Sequence, residues 1–481
     1  MSTIFLILAL LSGAALRFYH ATGVALWYDE AFSALFLRYP WREMLYQISL
    51  DVHPPLYYIV LRLWAYVAGQ SLFGLRLLSI IFGILTVWAG YRFALAAFKN
   101  KKIASLAAIL LAVNPFQVQY ALEMRMYALG MFLIMLSSFF LVRALETEAR
   151  RKKLRFWAGF VLASTAALYT HYYLLFSVGA QALYLLCYFL KKRRLKILFE
   201  GALAYCSIFF LYLAWVPVFL VHLQNVQGGY WIPPMDRWSV PGTFWKIMFG
   251  DFAANHATLA ISAIAVLVLT AYFLKKNQSF HKWLIFLNIL IPVSAAIVFS
   301  LKTSLYLDRY FVFVSLYFSI LIAAAFWSIP RFFVRWLLIT ALILASLLAF
   351  FRNWQNLDIE HQPGMAAAAS YINANAKSGE LLYGGSSYVL LTFRFYNQTG
   401  IKPLLISSQP LGSRVPLYAP EDVVLGLAQT KPGGTVWLFW TTGFGGVKPT
   451  IPKNWKLLDE QRFKDTPSFK GEIFIDKYLV K

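Results

Sequence analysis

Apolar runs close to the ~20 residues that a helix needs to cross a bilayer recur along this chain from its start to about Phe351. Short polar or basic stretches separate them. With 60% of its 481 residues hydrophobic and 14% charged, and a mean hydropathy of +0.61, the chain is too apolar for a soluble protein of this length. It reads as a mainly α, polytopic transmembrane bundle. About eleven spans can be counted, near 3–21, 72–98, 103–118, 126–144, 156–170, 172–190, 198–221, 257–274, 283–301, 311–329 and 333–351. The first run lacks a basic leader, and Ser12-Gly13-Ala14-Ala15 lies inside it, so it is expected to be a retained helix rather than a cleaved signal.

Lysine and arginine gather in alternate loops: Lys99/Lys101/Lys102, Arg150 to Arg155, Lys191 to Lys196, Lys275/Lys276/Lys282 and Arg331/Arg335. Basic loops stay on the cytoplasmic side, which predicts a cytoplasmic N-terminus in a multi-pass protein of the cell membrane. The same alternation accounts for the net charge of +23. Charges split among membrane loops do not make the basic patch of a nucleic-acid binder, so no nucleic acid is expected as a partner. Cys187 and Cys206 both fall inside spans, and no disulfide framework is indicated.

After Arg352 the composition turns soluble, with helix, turn, short strand, helix and short strand legible up to Ile406 and further strands near Thr435–Trp440 and Glu472–Leu479. Two domains are expected: a membrane domain over residues 1–351 and a small extracytoplasmic α/β domain over 352–481. Its sheet order cannot be read from pattern.

The chemistry-bearing residues cluster at the outer ends of the spans. "LWYDEAFSAL" places Asp29 and Glu30 just beyond the first span. Carboxylates near hydrocarbon are costly unless solvated or paired, so they mark either a solvated helix start or a site. "DVHPPLYY" puts His53 before a rigid Pro-Pro pair, ahead of an apolar stretch, Leu56–Ala68, too short to span. "QYALEMRMYAL" sets Glu123 and Arg125 beside Tyr127 at a helix mouth. The two charges either neutralise each other, or Arg125 grips an anion bidentately. "LYTHYYLLF" presents His171 in a short turn whose tyrosines an interfacial aromatic belt explains. "KTSLYLDRYF" carries Lys302, Asp308, Arg309 and Tyr310, where either Asp308 pairs with Arg309 or the cations contact phosphate. Carboxylate, imidazoles and cations suit group transfer from a lipid-borne phosphate. Neither a Walker loop nor a dinucleotide fingerprint is present, so no nucleotide cofactor is indicated.

These motifs, "WYDEAFSA", "HPPLYY", "LEMRMYAL", "YTHYY" and "YLDRYF", resemble the GT-C-fold polytopic glycosyltransferases, the group that includes protein O-mannosyltransferases and aminoarabinose transferases. The resemblance implies transfer of a sugar, with inversion, from a polyprenyl-phosphate donor to an extracytoplasmic lipid, glycan or protein. It implies Asp29 as general base with Glu30 beside it. His53, Arg125, Arg309 and Lys302 would meet the donor phosphate, and Glu123, Tyr127, His171 and Tyr310 would bind substrate. A divalent cation is the one cofactor the resemblance leaves open, although the Glu-Lys that precedes Pro-Pro in aminoarabinose transferases is Val52-His53 here, which removes a metal ligand. The usual Ser-Gln before the glutamate is Ala121-Leu122. The rival reading is a transporter or flippase of polyprenyl-linked sugars, which would place its polar groups near the bilayer midplane.

Overall fold

The structure, a computed structural model, describes residues 2–19, 21–227, 231–410, 415–428, 430, 432–466 and 470–481. The chain divides into two compact units, one of Met1–Tyr19, Val52–Leu61 and Arg76–Asn353, the other of His20–Asp51, Arg62–Leu75 and Trp354–Lys481.

The first unit is helical. Among the described residues eight helices are long and apolar enough to cross a membrane, and a bent pair, Lys101–Val113 with Pro115–Leu122, makes a ninth if counted as one span. The two other expected spans are also helices. Ser2–Phe18 has 17 residues, and Arg150–Leu168 carries its basic cluster in its first turns. Cys187 and Cys206 are free thiols on helices. Val312–Trp327 is buried on all sides, as a helix apolar all round must be when other helices surround it. In His256–Lys276 and Phe332–Leu357 most of the apolar surface faces outward, as on a helix that borders lipid.

The 56° bend between the paired helices has a sequence cause. Pro115 has no N–H, so the carbonyl of Leu111 loses its helical donor, and an unmet carbonyl in an apolar interior costs about 1–3 kcal/mol. Arg17, only 1% exposed, supplies the missing protons: Nη1 donates to the Ala112 carbonyl at 3.0 Å and Nη2 to that of Leu111 at 3.4 Å. Asn114 starts the second helix, its Oδ1 accepting from Gln117 N at 2.9 Å while its amide donates to the Ile247 carbonyl. Gly83 leaves the space for this arginine, since a Cβ there would lie 2.8 Å from Arg17 Nε and 2.6 Å from Ala121 Cβ.

In the second unit the tail forms a six-stranded sheet of β1 (Leu381–Gly384), β2 (Leu404–Ser407), β3 (Val423–Leu425), β4 (Thr435–Thr441), β5 (Trp455–Lys464) and β6 (Glu472–Val480). Its order is β3-β2-β1-β4-β6-β5. The first four strands are mutually parallel and β6 runs antiparallel to β4 and β5. Helices Gly364–Asn375 and Ser387–Tyr396 cover one face through Met365, Ala368, Ile372, Leu390 and Phe393, packed on Trp437, Phe439 and Ile475. The strands legible in the sequence are those with buried apolar runs. β5, largely exposed, and the three residues of β3 were not.

The segment around Asp29 belongs to this second unit. Val24 pairs with Asp358 in a short antiparallel bridge, Leu26 N donates to Tyr396 Oη at 3.1 Å, and Leu417 N donates to Gln47 Oε1 at 2.9 Å. Helix Tyr28–Phe36 packs on helix Ser387–Tyr396.

Replacing Arg17 with Leu should remove about 2–4 kcal/mol of stability by orphaning the two carbonyls. Gly83→Ala should destabilise in the same direction by displacing the guanidinium. Thermal unfolding of both variants in detergent checks this, with the melting temperature expected to fall in each.

Candidate active site

Three turns of the first unit converge. The first is His53-Pro54-Pro55, tied down where Leu56 N donates to the Tyr169 carbonyl at 2.9 Å. Proline forbids the helix from starting earlier, and that bond fastens the segment to the turn carrying His171. The second is Glu123–Arg125, the link between helices Pro115–Leu122 and Tyr127–Glu146. The third is the Thr170–Tyr173 turn. His53 and His171 come within 6.2 Å, ring centre to ring centre.

Arg125, 2% exposed, donates from Nη2 to His53 Nε2 and from Nη1 to Tyr58 Oη, both at 3.4 Å. These bonds tie the guanidinium to the His53 turn and to helix Leu56–Ala68. Glu123 caps the preceding helix, and its carbonyl accepts from Arg125 N.

His171, 3% exposed, sits among Tyr127, Tyr173, Tyr310 and Phe313, with ring centres 5.1–5.9 Å away. Its Nδ1 accepts from Tyr173 N at 3.1 Å, which leaves the proton of the neutral ring on Nε2. That Nε2 is buried with no hydrogen-bond partner among the described residues. Burial, with the charges of His53, Arg125 and Arg309 adding to it, pushes the His171 pKa well below the usual 6.5. The site therefore holds a neutral imidazole with one N–H to offer.

His53, His171 and Tyr310 line a cavity of about 230 Å³ whose other walls include Leu175, Phe176, Phe219, Leu223 and Phe299. The polar groups crowd one part of an otherwise apolar space. His222 also lines it, its Nδ1 hydrogen-bonded with Tyr172 Oη at 2.8 Å.

Asp308 does not pair with its neighbour Arg309. Lys246 Nζ lies 2.7 Å from its carboxylate and Thr243 Oγ1 donates to it at 2.8 Å. Arg309 instead lies 5.6 Å over the Trp231 ring and contributes positive charge at His171. Lys302 is exposed on the turn after helix Lys282–Ser300 and takes no part in these contacts. Tyr58, Lys246, His222 and Trp231 were not singled out in the sequence. Tyr58 lay within a quoted motif, but the others carry no local signal.

In the second unit, Asp29 and Glu30 occupy the first turn of helix Tyr28–Phe36, where the N-terminal dipole favours negative charge. Glu30 is 1% exposed and Asp29 half-buried. Among the described residues no group of three or more His, Cys, Asp or Glu gathers to hold a metal ion. The described residues do not fit such a site.

The whole chain shares its fold with ArnT from Cupriavidus metallidurans bound to undecaprenyl phosphate, with a TM-score of 0.65 at 13% identity, covering 99% of this chain and 98% of that one. The apo form of the same protein matches with a TM-score of 0.62 at 14% identity, over 98% of this chain and 97% of that one. The Archaeoglobus fulgidus oligosaccharyltransferase AglB, in complex with an inhibitory peptide and a dolichol-phosphate, matches with a TM-score of 0.53 at 11% identity, over 82% of this chain and 64% of that one. No protein of curated function matches the chain. The fold is thus that of the GT-C glycosyltransferases, in a multi-pass membrane protein. Residues 52–220 match the model of one family in particular, the dolichyl-phosphate-mannose-protein mannosyltransferases.

Because unfolded histidine takes up a proton near pH 6.5 and His171 in the folded chain does not, stability should fall as pH drops below about 6.5. Melting curves between pH 7.5 and 5 should show this loss. His171→Gln, which keeps an N–H donor and cannot titrate, should make the curve shallower.

Proposed function

We propose that this chain is a glycosyltransferase that moves a sugar from a polyprenyl-phosphate donor to an acceptor outside the cytoplasm. The observation that carries this reading is the pair His53 and His171 at the polar part of an apolar cavity, with the buried Arg125 bonded to His53 behind it. A cation and a lone N–H suit a phosphate, and the apolar walls suit the first units of a hydrocarbon chain. The fold shared with a protein bound to undecaprenyl phosphate and the mannosyltransferase match support the same donor class. A flippase is not favoured, since the buried charges stand in turns at helix ends rather than mid-helix.

In the reaction, Asp29 takes the proton of an acceptor hydroxyl as that oxygen attacks the anomeric carbon. The carbon–oxygen bond to phosphate breaks, and the configuration inverts. The polyprenyl phosphate leaves with its negative charge, stabilised by Arg125 and Arg309 and by hydrogen bonds from His171 and His53. Glu30 supports Asp29, Glu123 orients the Arg125 turn, and Tyr127 and Tyr310 wall the substrate. Lys302, exposed, contributes at most to attracting the donor headgroup. The basic loops assign the N-terminus to the cytoplasm and the tail domain, residues 352–481, to the outside.

Membranes holding the wild-type chain should transfer label from one of a panel of radiolabelled polyprenyl-phosphate sugars. Asp29→Asn should lower turnover by about 10²–10⁴ with donor affinity kept, and Arg125→Ala should mainly raise the donor KM. An Asp29→Asn protein that folds and turns over like wild type would contradict the assignment of the base.

A further inference from the structure

Within the second unit the carboxyl ends of the parallel strands meet the segment that carries Asp29. Between β1 and β4 the order of connections reverses. In open α/β sheets, the crevice outside the carboxyl ends at such a reversal is where ligands bind. The two loops that flank it here are Gly384–Ser387 after β1 and Thr441–Gly446 after β4.

The second loop is built in an unusual way. Phe444 adopts a left-handed backbone, with φ 54° and ψ 32°, a conformation strained for a bulky residue. It is also 49% exposed, so no core packing offsets that cost. The loop is nevertheless held firmly: Gly443 N donates to Thr441 Oγ1 at 2.9 Å and Gly446 N to the Gly443 carbonyl at 3.0 Å. Thr441 in turn donates to the buried Asp465 at 2.5 Å. Gly471 lies so close that a Cβ on it would meet Gly443 N at 2.2 Å. The strand end thus fixes an aromatic ring on the surface at the expense of backbone strain.

That ring begins a ladder. Phe444 meets Tyr388 at 5.1 Å and 66°, and Tyr388 meets Tyr28 at 4.9 Å and 65°. Tyr28 is the residue before Asp29, and the Asp29 charge acts on both tyrosines. Burial, with the charges of Asp29 and Asp51 adding to it, holds the Tyr28 phenol well above its usual pKa, so it stays a hydrogen-bond donor.

We propose that the Phe444–Tyr388–Tyr28 ladder is an acceptor subsite that stacks a pyranose ring and leads its hydroxyl to Asp29. A pyranose has an apolar C–H face and a rim of hydroxyls. The ladder offers aromatic rings and, on Tyr388 and Tyr28, phenol hydroxyls, which matches both parts of that ligand. The proposal deepens the glycosyltransferase reading and rests on it for the role of Asp29. It also commits the acceptor to a sugar-bearing molecule.

The test uses the full chain in lipid nanodiscs, with methyl α-D-mannopyranoside and methyl β-D-glucopyranoside as probes and cyclohexanol as an apolar control. Saturation-transfer NMR should show contact to the ring protons of at least one pyranoside in the wild type. Phe444→Ala and Phe444→Gly should weaken that binding about tenfold, and Phe444→Tyr should restore it. The glycine variant relieves the left-handed strain, so its loss of binding cannot be assigned to misfolding, and thermal melting should confirm that it is folded. In the transfer assay Phe444→Gly should raise the acceptor KM and leave the donor KM unchanged.

Absence of saturation transfer to both pyranosides in the wild type, or equal transfer in wild type and Phe444→Gly, would overturn the subsite. Binding that depends on Phe444 in a chain that transfers no sugar would uphold the ladder while removing the glycosyltransferase reading. Transfer with an acceptor KM indifferent to Phe444 would do the reverse.

Discussion

The arginine of the first helix holds the membrane unit in the shape that its chemistry needs. A proline within an apolar run breaks the helical ladder at a depth where water cannot repair it. Arg17 covers the two carbonyls left at that break, and Asn114 caps the helix that resumes beyond it. The bend so secured leads the chain into the Glu123–Arg125 turn. A buried arginine that satisfies backbone in this way has no need of a counter-ion close by. Arg125 differs from it in kind: among its partners are the His53 imidazole and the Tyr58 phenol, so it ties side chains together rather than backbone. Two buried arginines in one bundle thus do different work, one closing a gap in the backbone ladder and the other joining the segments around His53.

Much of the fold was legible because hydrocarbon imposes a coarse rule on sequence: length and apolarity mark helices, and basic loops mark sides. The tail's inner strands were legible for a similar reason, being buried. What stayed hidden depends on partners distant in sequence. Adjacent Asp308 and Arg309 invite a local pair, yet Lys246 and Thr243, carried on helix Ser239–Phe249, take the carboxylate. Arg17 sits in a run whose apolarity masks it, and nothing near it in sequence announces the carbonyls it meets. His53 and His171 could be named from their motifs, but their approach follows from one backbone hydrogen bond, Leu56 N to Tyr169 O.

The Asp29 motif is the clearest case of a site whose support lies elsewhere in the chain. By position it looks like a membrane loop, but its residues are stitched to the tail through Asp358, Tyr396 and Leu417. A tail of this kind is more than an appendage, because it orders the helix that carries the carboxylate. It also explains why a Rossmann-like strand order can occur without any phosphate-binding glycine fingerprint. The crevice at the strand reversal is bordered by aromatic rings and short hydroxyl side chains, suited to a neutral polyol rather than to a nucleotide.

The central claim is that the Arg125–His53–His171 cluster receives the phosphate of a polyprenyl carrier, and it can be examined directly. An electron cryomicroscopy structure of the chain in nanodiscs with undecaprenyl phosphate should place the phosphate within about 3.5 Å of Arg125 and of His171 Nε2, with the prenyl chain against Phe176, Phe219 and Phe299. Phosphate density away from these residues, or a lipid chain that leaves that cavity empty, would contradict the account.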